Sequence, residues 1–120
     1  MKRIVSALAL AGVLAACAPK AQTPMQAVFA LEASYDAALE VAVAYATLPG
    51  CGANVPPLCS DRALVRRVNT VAHQAWVAIR AAQAVAVAVN PDPTALAAAR
   101  ANAERALAEL TALTSSLKVN

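Results

Sequence analysis

The chain has 120 residues, 60% of them hydrophobic and 14% charged, with a formal net charge of +3 at pH 7. Two of its ten basic residues, Lys2 and Arg3, stand at the amino terminus; without them eight basic and seven acidic side chains remain, a net charge of about +1. We therefore expect no nucleic-acid partner, because such proteins carry a strongly basic face. The length allows one domain with one core.

The first sixteen residues have the three-part layout of a secretory signal peptide. Lys2 and Arg3 form a basic start, residues 4–14 are a nearly continuous apolar run, and small residues follow. That run is shorter than the roughly 20 residues of a membrane-spanning helix. We therefore expect residues 1–16 to be removed during export.

The cleavage region, Leu14-Ala15-Ala16-Cys17, resembles the lipobox of bacterial lipoproteins. The resemblance implies cleavage before Cys17, a diacylglycerol on its sulfur and often acylation of the new amino group. Two or three acyl chains hold a protein on a membrane far more firmly than one chain does. The alternative is an ordinary signal peptide, with an incidental cysteine or a cut near Ala18.

The resemblance also implies a location. Ala18, rather than Asp, follows Cys17, and by similarity to Gram-negative lipoproteins this favours the periplasmic face of the outer membrane. Residues 17–24 would be a lipidated tether, and residues 25–120 a helical domain. No cofactor is expected besides the covalent lipid on Cys17.

The composition of the remaining chain predicts an all-α fold. Alanine, the best helix former, accounts for 29 of residues 17–120. Pro and Gly cluster in a few places and divide the chain into three segments. We expect an antiparallel helical hairpin closed by a disulfide loop, with a third helix that completes a three-helix bundle.

Capping residues predict where the helices begin. Thr23 is a good N-cap, with Pro24 at the first helical position and Gln26 placed for a capping box. This helix should end near Leu48, before Pro49-Gly50. The second should be capped by Ser60 and run to about Val89.

The third helix should begin at Pro93, capped by Asp92, and run to about Leu117. Residues 84–89 alternate Ala and Val, which also suits a strand, but no second strand-like run is present to pair with them. We therefore predict a helix there.

Apolar residues recur with helical spacing in each segment and predict the core. We also place Trp76 in that core. From Val77 to Val89 the second helix has only two polar residues, Arg80 and Gln83. We expect both neighbouring helices to cover this stretch; the alternative is an exposed patch for a protein partner. The predicted core residues are Val28, Leu31, Tyr35, Ala38, Ala42, Tyr45, Leu64, Val68, Val71, Ala75, Ile79, Ala82, Val89, Leu96, Ala99, Ala103, Ala106, Leu110, Leu113 and Leu117.

Cys51 and Cys59 flank the first loop. Outside the cytoplasm two such cysteines usually pair, and we predict a disulfide. A metal site is the alternative, but the one histidine, His73, lies well along the second helix. Two thiols without clustered ligands are poor evidence for zinc, and we expect no metal.

Charges form rows on the first two helices. Glu32, Asp36 and Glu40 lie four residues apart on the first. Arg66, His73 and Arg80 share a face of the second, with Arg67 beside them. In an antiparallel hairpin we expect Glu40 near Arg66 or Arg67, Asp36 near His73, and Glu32 near Arg80. These charges either set the helix register or, through Arg66, Arg67 and Arg80, bind an anionic partner.

The sequence shows little that predicts catalysis. It has no glycine-rich phosphate loop. Ser34, His73 and Asp36 supply the residue types of a Ser–His–acid set, but nothing in the sequence favours that role over ordinary positions on a helix surface. We predict a non-enzymatic module of the cell envelope that acts by contact with an envelope protein. Self-association through the alanine-rich helix faces is an alternative to that contact.

Two alternatives stay open for the function. One is a module that binds an anionic ligand or the cell wall; the other is a prophage-derived lipoprotein of lysis or exclusion. The C–x7–C loop with Pro-Pro-Leu-Cys-Ser-Asp, between alanine-rich helices, resembles that of small uncharacterised lipoproteins of proteobacteria and their prophages. That resemblance implies a setting and no activity.

Overall fold

The computed structural model describes residues 23–52 and 57–117, and within them the chain is all-helical. Helix α1 spans Pro24–Ala46, α2 spans Arg62–Ala86 and α3 spans Pro93–Ser115. The described residues contain no strand, only an isolated bridge between Gly50 and Ser60. The all-α prediction is confirmed, and residues 84–86 are helical as expected. The predicted signal peptide and Cys17 lie outside the described residues.

Two helices begin where their caps predict. The Thr23 hydroxyl accepts a hydrogen bond from the Gln26 backbone N–H at 3.2 Å, and the Gln26 side chain accepts one from the Thr23 N–H at 2.9 Å. This capping box satisfies two backbone donors that helix geometry leaves without partners. Asp92 caps α3 by accepting from the Thr94 N–H at 2.9 Å.

The predicted cap of α2 was wrong by one residue. Asp61, not Ser60, is the N-cap, and its carboxylate accepts from the Leu64 N–H at 2.8 Å. Ser60 is held in the bridge to the preceding loop, where its hydroxyl donates to the Leu48 carbonyl at 2.9 Å. A side chain used in this tertiary contact is not available to cap a helix.

Helix α2 also ends earlier than predicted, at Ala86 rather than Val89. Val87 is its C-cap, and residues 87–90 make the turn that leads into the two prolines before α3. A residue that precedes proline is disfavoured in the helical conformation. The chain therefore leaves the helix before Asn90-Pro91.

The loop between α1 and α2 is closed by the predicted disulfide. Cys51 and Cys59 are bonded, with their Cα atoms 4.9 Å apart. Backbone hydrogen bonds support the closure: the Cys51 N–H donates to the Ser60 carbonyl at 3.0 Å, and the Ser60 N–H donates to the Pro49 carbonyl at 2.9 Å. The Tyr45 hydroxyl accepts from the Asp61 N–H at 2.9 Å. The start of α2 is thereby fixed against the end of α1.

Each helix contacts the other two, so the three share one core as a helical bundle. Ala75, Ile79, Ala82, Ala103 and Leu110 are completely buried. Three of these five are alanines, and a methyl side chain lets neighbouring helix backbones approach closely. The rest of the stripe prediction largely holds, because its other members are buried or partly buried apart from Val89.

Two residues predicted in the core are not there. Val89 is 96% exposed because it lies in the turn beyond α2. Trp76 is 40% exposed, and its ring lies against Tyr35 with the centroids 5.8 Å apart. Val77 and Val87 are exposed as well. Helices α1 and α3 therefore cover only one side of the apolar second half of α2.

Candidate functional surfaces

The predicted lipid attachment point, Cys17, lies outside the described residues, but the place where its tether joins the domain is described. Thr23, the N-cap of α1, follows Cys17 by six residues. Six residues span at most about 21 Å when fully extended. The beginning of α1 is therefore the end of the domain closest to any lipid carried by Cys17.

The three arginines of the predicted row are all exposed on α2 but differ in their side-chain contacts. Arg80 is engaged locally: its guanidinium donates to Gln83 Oε1 at 2.9 Å and lies over the Trp76 ring, 5.5 Å from the centroid. Fourteen residues separate Arg80 from Arg66, which is about 21 Å along a helix. One small anion cannot contact both.

Arg66 and Arg67 form a separate basic pair near the start of α2. Both are exposed, and neither side chain has an ion-pair or hydrogen-bond partner within residues 23–52 and 57–117. They lie four and five residues after α2 begins at Arg62. Of the three arginines, only these two have no such side-chain partner in the described part of the chain.

The expected ion pairs between α1 and α2 are not formed. In the described part of the chain, the one ion pair is Arg100–Glu104 within α3, at 2.8 Å. Asp36 and Glu40 are exposed instead. The Gln83 amide donates a hydrogen bond to the Glu32 carboxylate and so links α2 to α1. The Gln83 side chain also accepts a hydrogen bond from Arg80. Glu32 is therefore connected to Arg80 through Gln83 and does not form a direct ion pair with it.

Exposed apolar side chains gather where the tether joins the domain. Phe29 on α1 and Val87 just after α2 line one shallow depression of about 290 Å³ and are 59% and 63% exposed. Val89 follows in the turn after α2. We call Phe29, Val87 and Val89 the tether-end patch. The helical spacing of apolar residues did not predict Phe29, because this residue lies just outside the predicted core face.

A larger apolar groove, of about 860 Å³, runs between α1 and α3. Small side chains on both helices leave it open. It is lined by Leu31, Ser34, Ala37, Ala38, Val41, Glu104, Leu107, Ala108, Thr111, Ala112, Thr114 and Ser115.

The side chains considered for catalysis are not assembled into a site. The Ser34 hydroxyl donates to the Ala30 carbonyl at 3.0 Å, as serines on helices commonly do. No hydrogen bond links Ser34, His73 and Asp36 within the described ranges. In the same ranges, no three His, Cys, Asp or Glu side chains come together as metal ligands could.

Comparison with known proteins provides no relative. No family model, no curated protein and no solved structure matches this chain. Among the helices of residues 23–52 and 57–117, none is both long enough and apolar enough to span a membrane.

Proposed function

We propose that this protein is a lipid-anchored helical module of the bacterial cell envelope that acts by contact rather than by catalysis. The observation that carries the proposal is the run Leu14-Ala15-Ala16-Cys17 behind a basic and apolar leader. The helical domain begins six residues after Cys17, which leaves a short tether to the membrane. Its site of action would be the periplasmic face of the outer membrane, against an envelope protein.

We further infer that α1 and α2 form an antiparallel hairpin and that α3 completes a three-helix bundle. Contacts at the two ends of α1 support this arrangement. Tyr45, near the end of α1, bonds to Asp61 at the start of α2, whereas Glu32, near the start of α1, bonds to Gln83 near the end of α2.

The anchor is tested by the intact mass and the membrane fractionation of the full-length expressed protein. The wild type should lose residues 1–16, gain the mass of two or three acyl chains and sediment with membranes. Cys17→Ala should show neither the added mass nor the retention. Cys51→Ala/Cys59→Ala is the matched control, because it removes two cysteines and keeps Cys17, and it should remain lipidated.

Two results would contradict the proposal. One is a wild-type chain that is cleaved without added mass and recovered in the soluble fraction. The other is membrane retention that survives Cys17→Ala, which would mean that another part of the chain holds the membrane.

A second candidate function is supported by Arg66 and Arg67. Both are exposed and lack side-chain partners in the described part of the chain, and they lie away from the tether. A domain held at its tether end would present this basic pair to the periplasm, where an anionic cell-wall polymer could bind it. Such a contact would weaken as salt is raised.

Charge reversal tests this second candidate. Arg66→Glu/Arg67→Glu should abolish retention on purified cell-wall material, with unchanged helicity by circular dichroism. Arg105→Glu, compared with Arg66→Glu alone, makes the same charge change at an exposed position of α3 and should bind as the wild type does. Equal losses in both variants would indicate a dependence on net charge alone.

A further inference from the structure

We propose that the tether-end patch, Phe29, Val87 and Val89, rests on the surface of the lipid bilayer that holds the anchor. This inference depends on the proposed lipidation of Cys17. It assigns the domain a fixed orientation, with one end on the membrane and the disulfide-closed loop away from it.

The length of the tether places this patch within reach of the bilayer. Cys17 stands six residues before Thr23, so about 21 Å is the greatest separation between them. Phe29 lies six residues further along α1, which is about 9 Å of helix. Val87 lines the same depression as Phe29, although 58 residues separate them in the chain.

The chemistry of the patch favours lipid over water. Val89 is 96% exposed and Phe29 and Val87 are each more than half exposed, so the bundle covers little of these side chains. Apolar side chains held at a membrane interface are stabilised when they move into the boundary between head groups and acyl chains. A lipid anchor keeps them continuously close to that boundary, so even a weak affinity is sufficient.

The charges around the patch point to a mainly apolar contact. Arg80 lines the depression together with Phe29 and Val87, and its guanidinium can remain at the head-group level while its apolar stem lies deeper. Glu32 and Asp92 lie at the same end of the domain, so together with Arg80 these described residues carry no net positive charge. We therefore expect the contact to persist at high salt.

The opposite end would then stand away from the membrane. Arg66 and Val87 are 21 residues apart along the chain, which corresponds to about 31 Å of helix. This separation assigns different partners to the two ends: lipid to the tether-end patch, and the periplasm to the basic pair.

Depth-sensitive fluorescence tests the orientation on the full lipidated chain. Trp76 is the chain's one tryptophan. Trp76→Phe therefore provides a dark background for Phe29→Trp and, as a matched control, Val43→Trp. Residues 29 and 43 lie on the same helix and are 59% and 55% exposed, but position 43 is about 21 Å further from the tether. Both proteins are reconstituted into phosphatidylethanolamine and phosphatidylglycerol vesicles with brominated acyl chains.

We expect the tryptophan at position 29 to shift its emission to the blue and to lose intensity, and the tryptophan at position 43 to do neither. Val89→Trp on the same background repeats the test at a position with almost no contacts to the core, so that it does not depend on the packing of α1. Circular dichroism of each variant shows that the helices are retained.

Three results would overturn the inference. Equal quenching at positions 29 and 43, or none at positions 29 and 89 in vesicle-bound protein, means that the patch does not touch the bilayer although the anchor is present. A blue shift at position 29 without vesicles means that a second copy of the chain covers the patch. A chain that carries no lipid overturns the proposed function and this inference together.

Discussion

Tyr35 and Tyr45 are both buried on α1, yet their hydroxyl groups have different surroundings. The Tyr45 hydroxyl accepts a hydrogen bond from the Asp61 N–H, whereas Tyr35 packs its ring against Trp76. No hydrogen bond of the Tyr35 hydroxyl occurs among the residues that the structure describes. The two tyrosines therefore form a matched pair for measuring what the hydroxyl of Tyr45 contributes.

Tyr45→Phe should lower the free energy of unfolding by about 1 kcal/mol, because the partly buried Asp61 N–H loses its acceptor. Tyr35→Phe should change it by much less at pH 7. Urea unfolding of both variants, followed by circular dichroism, provides the comparison. If Tyr35→Phe were as destabilising as Tyr45→Phe, the hydrogen bond to Asp61 would not explain the effect.

Tyr35, by contrast, should determine how the free energy of unfolding changes in alkaline solution. Burial raises the pKa of Tyr35 above its usual value of 10.0, and the neighbouring Asp36 carboxylate raises it further. The folded state therefore holds the phenolic proton more tightly than the unfolded state, and this contribution to stability is complete below pH 10. Stability should fall as the pH rises above 10 and through the pKa of the folded state.

Tyr35→Phe removes this group and should flatten the loss of stability above pH 10, as measured by urea midpoints at pH 9 and above. Tyr45→Phe, which keeps Tyr35, should retain the steeper loss. Parallel curves for the wild type and Tyr35→Phe would show that other groups cause the alkaline response.

At this scale the sequence predicts the chemistry of side chains better than their partners. The disulfide was predictable because Cys51 and Cys59 flank one short loop. The contacts of Arg80 with Trp76 and Gln83 follow the i,i+4 and i,i+3 spacing within α2, so the sequence could have predicted them. The expected pairing of Asp36 with His73 is not formed, because contacts between two helices depend on how the helices are rotated against each other, which spacing along one helix does not specify.

At the scale of single helices, local signals predicted most of the boundaries. Thr23 and Asp92 cap the helices that follow them because the required groups lie two or three residues away. Ser60 failed as a cap because it bonds to Leu48, a contact that exists only after the loop has closed. Helix α2 ends early because the chain must turn before Asn90-Pro91. The apolar pattern continues to residue 89 and therefore predicted a longer helix.

The effect of replacing an alanine of α2 by leucine should depend strongly on the helix face on which that alanine lies. Ala82 is completely buried, while its neighbour Ala81 is exposed. Ala82→Leu adds volume where helices are in contact and should lower the free energy of unfolding by roughly 1–3 kcal/mol. Ala81→Leu, with the same change in helix propensity, should be nearly neutral.

Urea unfolding of the two variants measures this difference. If both were tolerated equally, the helices would not be closely packed where alanine lines their contact.

At the scale of the whole molecule, the position of α3 was the largest open question from the sequence, because its link to α2 is short and its stripe is rich in alanine. The structure shows it in contact with both other helices, with Leu110 completely buried. The two candidate surfaces were harder to predict. The tether-end patch joins Phe29 and Val87, which are 58 positions apart in the chain. The different surroundings of Arg80 and of the pair Arg66 and Arg67 depend on the side-chain contacts that Arg80 makes.

A core shared by all three helices predicts one cooperative unfolding transition. Trp76, which contacts Tyr35 on α1, reports on the α1–α2 contact, whereas ellipticity reports on all three helices.

Leu110→Ala on α3 should remove about 2–5 kcal/mol of stability, because it leaves a cavity in that core. Both probes should shift to the same lower urea midpoint, since Leu110 belongs to the same core cluster as Ile79 and Ala82 on α2. A variant in which ellipticity falls in two steps while the fluorescence midpoint stays at the wild-type value would instead show that α1 and α2 fold as an independent hairpin, with α3 a separate unit.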